Sequence, residues 1–259
     1  MFRWFRAKEK PLQEEKKLPI MEDFSGIDSI AEYFKNETGV VFERQMSILT
    51  NKVKTFCTTR AIHSFTELLA KVKKDPNIKQ ELIDHLTTNE TFFYREYKQI
   101  EELTALVKKT SSHVEILCAP CATGEEPYSI AISLLEAGVM PNRFSILGID
   151  INEDALKKAR EASYRQRSVR NLSAEILSKY FTLKEERYVL NTSAQTLVTF
   201  KLANIFDDSF KTLGKFNFIM SRNMLIYFDK QTKLKAKEIL QSMRKDDTHP
   251  VFFGHADLF

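Results

Sequence analysis

The chain has 259 residues, 43% of them hydrophobic and 29% charged, with a net charge of +4. That is long enough to bury a real core in one large domain or two modest ones, and the balance is that of an ordinary globular protein. Its apolar runs fall far short of the ~20 residues a membrane helix needs, its start lacks the apolar segment of a signal peptide, and Cys57, Cys118 and Cys121 make no disulfide framework. These features predict a cytoplasmic protein, with too mild a charge to imply nucleic acid.

Residues 1–20, charged and bounded by Pro11 and Pro19, read as a flexible basic lead-in. Residues 21–86 read as a helical domain. Ile27, Ile30, Ala31 and Phe34 fall at helical spacing before Gly39, and Leu49, Val53, Phe56 and Cys57 repeat that spacing. Ser64-Phe-Thr-Glu67 is a capping-box pattern ahead of Leu68, Leu69 and Val72. Asp75-Pro76 opens a further helix with Ile78, Leu82 and Ile83, proline standing at its first position. Between residues 44 and 79 there are eight basic residues (Arg44, Lys52, Lys54, Arg60, Lys71, Lys73, Lys74, Lys79) against two acids, Glu67 and Asp75. Such a stretch is either a solvated helical face or a docking surface for an acidic partner.

Beyond residue 87 the pattern becomes strand–helix alternation. Buried strands are predicted at 114–119, 144–149, 216–220 and 251–253, and helices at 128–135, 152–160 and 229–243. This is the pattern of a mostly parallel sheet covered on both faces, an α/β fold. Residues 164–200 interrupt it. They contain two β-rich runs, 187–190 and 196–200, separated by Asn191, Thr192 and Ser193, and read as an inserted helix plus hairpin.

The segment LCAPCATGEEPYSIA, residues 117–131, admits two chemistries. Cys118 and Cys121 form a Cys-x-x-Cys pair of the kind a thiol-redox enzyme uses. That chemistry needs a low-pKa thiol at a helix start, whereas Gly124 and Pro127 place the start near Glu125, beyond both cysteines and beside two acids. No second Cys/His pair sits at metal spacing, and His113, His249 and His255 are scattered, so no metal is predicted. The other reading is a ligand loop at the carboxyl end of a parallel strand. Gly124 would let backbone approach a ligand closely. Asp150, 26 residues on and ending the next strand, is placed to accept hydrogen bonds from ribose hydroxyls or to cap the following helix. With one glycine rather than three, the loop suits a nucleoside without phosphates better than a phosphate.

Three further stretches carry polar and aromatic groups: TTNETFFYRE (87–96), where the helical domain gives way to the sheet, FKLANIFDD (200–208), before a predicted strand, and FNFIMSRNMLIYFD (216–229), whose polar groups lie just past one. Together with TGEEPYS (123–129) and GIDI (148–151), they resemble the CheR-type chemotaxis receptor methyltransferases, in the same order and over residues 25–259. The resemblance implies a Rossmann-like class I methyltransferase sheet at 87–259, with an N-terminal all-helical domain and a small inserted β-subdomain at 164–200. It implies transfer of a methyl group from S-adenosylmethionine to the γ-carboxylate of glutamates on methyl-accepting chemotaxis receptors. The products would be glutamate methyl esters and S-adenosylhomocysteine. By motif position it implies that Asn89, Thr91, Arg95, Glu126, Asp150, Asn204, Ile205, Arg222 and Asn223 bind the cofactor. Arg95 and Tyr227 are expected to shape the site near the methyl group, Arg95 by orienting the incoming carboxylate.

The implied partner is an acidic helical receptor segment met by basic residues 44–79, with a receptor tail tethered by strand addition at 188–200. Neither nucleic acid nor membrane insertion is expected, and the implied place of action is the cytoplasm, at receptor arrays on the inner membrane. Two departures stand out. Pro120, with its fixed φ, stands where the family usually has glycine, and the chain closes with FFGHADLF where relatives show Gly-His-Ser-Glu. A receptor-binding adaptor that has lost its cofactor is a second alternative beside the thiol-redox one; the intact Asn89, Arg95, Glu126, Asp150 and Asn223 argue against it.

Overall fold

The computed structural model describes residue 23, residues 25–42 and residues 45–257. The basic lead-in and Arg44 lie outside the described residues.

The N-terminal helices form as the apolar spacing predicts. They are α1 (Ile27–Thr38), α2 (Met46–Thr59), α3 (Phe65–Lys74) and α4 (Pro76–Leu86). Their facing stripes, among them Ile30, Phe34, Leu49, Val53, Phe56, Leu68, Val72 and Leu82, are buried in one cluster. Ser64 Oγ accepts from the Glu67 N–H at 3.0 Å and begins α3. The return half of the box is displaced by one residue: Glu67 Oε2 accepts from the N–H of His63, not of Ser64, at 2.8 Å. Asp75 Oδ1 accepts from the Asn77 N–H and caps α4. Gly39 ends α1 at φ 78°, and a Cβ there would come within 2.5 Å of the Phe206 ring. Glycine is therefore required both by the left-handed backbone and by the close approach of the sheet domain.

The next helix, α5 (Tyr97–Lys109), is absent from the predicted elements, although Ile100, Leu103 and Val107 are buried at helical spacing. Then come β1 (Val114–Cys118), α6 (Glu125–Glu136), β2 (Phe144–Asp150) and α7 (Glu153–Glu161). The main sheet is completed by β6 (Val198–Leu202), β7 (Phe218–Ser221) and β8 (Val251–Phe253), with the short helix α11 (Asp208–Lys211) between the first two and α12 (Lys230–Ser242) between the last two. Its order is β6-β2-β1-β7-β8 and every pairing is parallel. In chain order this is 3-2-1-4-5, the doubly wound arrangement, with its topological switch between β1 and β7. Alternation on β1 sends Ile116 and Cys118 into the cluster under α5 and α6, and Leu117 into the cluster with Leu240 of α12. Both faces are covered, which accounts for the nearly unbroken apolar runs of β1 and β7.

The insert differs from its prediction. It contains β3 (Ser163–Tyr164), short helices α8 (Gln166–Val169) and α9 (Ala174–Tyr180), β4 (Phe181–Lys184), β5 (Arg187–Leu190) and α10 (Thr192–Gln195). Arg187–Leu190 pairs antiparallel with Phe181–Lys184 and with Ser163–Tyr164. The run predicted to be its hairpin partner lies in β6, parallel to β2 in the main sheet. Asn191 to Gln195 form a helical turn rather than a hairpin turn. The actual turn is Glu185-Glu186, both at positive φ (45° and 62°) without the Asn or Gly that usually marks such a turn. In the order β3-β5-β4 the strand Arg187–Leu190 is central, so Tyr188–Leu190 has no open edge to accept a further strand. The outer sides of β4 and β6 do.

The helical bundle meets the sheet through polar contacts. Asn152 caps α7 through its Oδ1 (2.7 Å to Ala155 N) and donates through Nδ2 to the Asp84 carbonyl and to Thr87 Oγ1. Gln80 donates to the Ile151 carbonyl at 2.8 Å. The connector after α1 donates from Val41 N to the Tyr227 carbonyl at 2.9 Å. These bonds bring α1, α2 and α4 over the carboxyl ends of the strands.

Candidate functional site

At that end of the sheet lies a cavity of about 960 Å³. The segment before α5 contributes Asn89, Thr91 and Arg95; the first turn of α6 contributes Glu126; the end of β2 contributes Asp150. Asn204 and Ile205 follow β6, and Arg222, Asn223 and Tyr227 follow β7. Every residue that the resemblance assigned to the cofactor or to the methyl group therefore lines one cavity. Val40, Val41, Ile48 and Lys52, from α2 and the connector before it, close the remaining wall.

Two of these residues form a buried ion pair across the topological switch. Arg222 Nε donates to Glu126 Oε2, and both side chains are almost wholly buried. Arg222 Nη1 also donates to the carbonyls of Arg95 (2.7 Å) and Glu96 (3.4 Å). Arg222 thus ties the first turn of α6 and the segment before α5 to the loop after β7. Burial pushes the Glu126 carboxyl up, and the Arg222 guanidinium opposes that. Glu126 Oε1 is buried without a hydrogen-bond partner among the described residues, a state that calls for a donor from a ligand.

Asp150 is buried, its Oδ2 accepting from Ala122 N (2.8 Å) and its Oδ1 from Asn152 N (2.9 Å). Burial raises its carboxyl to about 6, against the pull of these backbone donors. Asp150 thus holds the β1–α6 loop and the start of α7 together while facing the cavity. Asn204 is anchored as well: Nδ2 donates to the Glu37 carbonyl at 2.6 Å and Oδ1 accepts from Phe206 N at 3.0 Å. Ala122 (φ 47°) and Asn223 (φ 59°) line the cavity in the left-handed region. Strain of this kind costs about 1–3 kcal/mol per residue and gathers at ligand sites.

Thr123 and Gly124 do not line the cavity; residues 119–122 do. Gly124 is needed for another reason than ligand approach. It has φ 92°, and a Cβ would meet Ala159 of α7 at 3.0 Å. The thiol chemistry finds no support either. Cys118 and Cys121 are free but buried, and burial pushes both thiols well up, away from the thiolate.

Asp257 is a functional neighbour that the sequence reading missed. Its buried carboxylate accepts from Asn223 N (2.5 Å), Gly254 N (3.2 Å) and Ile226 N (3.2 Å), and so shapes the loop that presents Asn223 and Tyr227. The signal was an acid three residues after a glycine that follows the last strand. Asp257→Ala leaves these N–H groups unpaired at a cost of about 1–3 kcal/mol each. Hydrogen exchange is expected to show lost protection at residues 223–227 while β7 stays protected.

The basic stretch is less available than its composition suggests. Arg60 pairs with Glu81, Lys71 with Glu67 and Lys79 with Glu37, and Lys52 Nζ donates to the Leu86 carbonyl. Glu37 and Glu81 lie outside the 44–79 window, which is why the linear count missed them.

An open parallel sheet in the 3-2-1-4-5 order, with a cavity at its switch point and a buried acid ending the second strand, defines an α/β nucleoside-binding domain. Residues 89–259 match the family model described as CheR methyltransferase, SAM binding domain, where SAM is S-adenosylmethionine, and the chain belongs to that family. A Campylobacter jejuni chemotaxis protein methyltransferase is 37% identical over 222 residues, covering 85% of this chain and 84% of its own length. The Salmonella typhimurium protein of the same description is 29% identical over 238 residues, 89% of this chain and 82% of its own length. That of Escherichia coli is 33% identical over 185 residues, 70% of this chain and 64% of its own length. This chain is an S-adenosylmethionine-dependent methyltransferase.

Proposed function

We propose that the chain methylates the γ-carboxylate of glutamates on methyl-accepting chemotaxis receptors, in the cytoplasm and beside the receptor arrays. The observation that carries the reading is the convergence of Asn89, Arg95, Glu126, Asp150 and Asn223 on one cavity within a chain of this family. The residues fit the cofactor: Glu126 Oε1 is a buried, unpartnered anionic acceptor suited to an ammonium group, and Asp150 is an acceptor suited to ribose hydroxyls. Asn89, Thr91, Asn204, Ile205, Arg222 and Asn223 complete the proposed cofactor set. Arg222 serves it by holding Glu126 rather than by offering a guanidinium left unpaired. When bound, the cofactor supplies a methyl group on a good leaving group.

The demands on the chain are those of alignment. The acceptor glutamate, with a pKa near 4.3, is already ionised at neutral pH, so no side chain need act as a base. Arg95, which donates from Nη1 to the Glu90 carbonyl (3.2 Å), is placed to orient the incoming carboxylate. Tyr227 stands near Arg95, whose charge opposes the burial that raises its hydroxyl. Orientation of this kind supplies roughly 7–11 kcal/mol. For Arg95→Ala, kcat with saturating cofactor is expected to fall about 100-fold, and for Tyr227→Phe by less. Near wild-type kcat in both variants would remove these two from the mechanism.

In this reading residues 21–86 form a domain that roofs the cavity, and 87–259 the methyltransferase domain with its insert. The exposed lysines of the basic stretch, Lys73 and Lys74, meet the acidic receptor. Tethering by strand addition falls on the outer side of β4 or β6. Calorimetric titration with S-adenosylhomocysteine, followed by assay of base-labile methyl esters on a receptor cytoplasmic fragment, tests the function. Failure to bind the nucleoside would overturn it.

A further inference from the structure

The insert brings a second basic group to the site. Arg165 precedes α8, Arg167 lies within it and Arg170 follows it, and all three side chains are exposed. The segment that carries Arg95 is bound to α8: Phe93 N donates to the Ser168 carbonyl at 2.8 Å, and the buried Phe93 ring packs edge-on against Tyr164 and Phe181. The Phe92 ring joins the two groups of charge. The Arg170 guanidinium lies 3.7 Å from its centroid and that of Arg95 lies 5.6 Å from it. Among the described residues none of these four arginines is within ion-pair distance of a carboxylate. The buried Glu125 feels the Arg167 charge but is bonded to Thr123 Oγ1 at 2.6 Å. By contrast, Lys52, Arg60, Lys71 and Lys79 of the helical bundle are engaged within the protein.

We infer that Arg165, Arg167 and Arg170, continuous with Arg95 at the cavity, form the surface that receives the acidic flank of the methylated segment. This rests on the reading that the acceptor is a glutamate on an acidic helix. Four guanidiniums without carboxylate partners complement such a helix, and planar guanidinium forks suit carboxylates better than ammonium groups do. The packing of Phe93 against the insert holds this surface in register with the site. Phe92, between Arg95 and Arg170, gives the helix an apolar strip to lie on.

The test measures KM for a soluble receptor cytoplasmic fragment in the triple variant Arg165→Glu/Arg167→Glu/Arg170→Glu, with S-adenosylhomocysteine affinity measured in parallel. KM is expected to rise about tenfold or more with cofactor affinity unchanged, and its steep dependence on ionic strength to flatten. Lys71→Glu/Lys73→Glu/Lys74→Glu is expected to raise KM less. An unchanged KM in the arginine variant, or a larger effect from the lysine variant, overturns the inference. Should Arg170→Glu disturb Phe92 and weaken cofactor binding, the double variant Arg165→Gln/Arg167→Gln decides, since both side chains are exposed and neither lies against Phe92. A KM indistinguishable from wild type there also overturns it. Wild-type protein that binds the nucleoside but methylates no receptor fragment overturns the underlying reading, and this surface with it.

Discussion

Asp150→Ala is expected to raise the dissociation constant of S-adenosylhomocysteine at least ~100-fold. Two hydrogen bonds from hydroxyls to a carboxylate contribute about 1.5–3 kcal/mol each, and every 1.4 kcal/mol is tenfold in affinity. The substitution also frees Ala122 N and Asn152 N, the two backbone donors that Asp150 holds, so the loop and the start of α7 lose their brace. The acid makes a sharper prediction through pH. Its carboxyl is raised to about 6 by burial, and an unfolded aspartate titrates near 3.9. Between those values the folded protein binds the extra proton, so for this group the stability of the cofactor-free protein increases as pH falls through about 6 towards 4. Cofactor affinity moves the other way, because the protonated acid is a weaker acceptor. Calorimetric Kd values are expected to be flat above pH 7 and to weaken below about 6. In Asp150→Asn that dependence is expected to vanish. A wild-type Kd that does not change between pH 7 and 5 would remove Asp150 from the site.

Arg222→Ala is expected to cost about 3–5 kcal/mol of stability, because it leaves Glu126 as an uncompensated charge in a buried setting. The same change releases the Arg95 and Glu96 carbonyls from their clamp, so cofactor affinity falls together with stability. The double variant Arg222→Met/Glu126→Gln separates the two effects. With the charge pair removed as a unit, unfolding stability is expected to return most of the way. S-adenosylhomocysteine binding is not expected to return, since the anionic Glu126 Oε1 is gone. Denaturant unfolding and calorimetry on the three proteins check this. A double variant that recovers both stability and binding would show that Glu126 serves the fold alone.

Much of this site was legible in the sequence. The GEEP, GIDI and SRN stretches each end or follow a predicted strand, and side chains at the carboxyl ends of parallel strands are bound to face one cleft; the TNET stretch lies at the junction of the helical domain and the sheet, and only the resemblance assigned it to the site. The ten residues singled out there all reach the cavity. Their division of labour was not legible. Asn204 proved to be pinned to the Glu37 carbonyl, and Arg222 proved to be a brace for Glu126. The motif shows that a polar side chain belongs at a position, not which partner is nearest to it. Asp257 escaped notice for the same reason, since two of its three partners lie 31 to 34 residues earlier in the chain, in the loop after β7.

The sequence by itself determined the helices of the N-terminal bundle, their caps, the parallel character of the sheet and the acid at the end of its second strand. Those features depend on spacing, capping and burial among residues a few positions apart. Only the tertiary structure decided that Val198–Leu202 joins the main sheet instead of pairing with Arg187–Leu190. It also decided that Glu126 meets Arg222 across 96 residues, and that Arg60, Lys71 and Lys79 of the basic stretch meet carboxylates, two of them from outside it, while Arg165, Arg167 and Arg170 of the insert have no carboxylate partner among the described residues. Strand pairing and charge pairing are settled by which surfaces come together when the core closes, and that choice leaves no periodic trace along the chain.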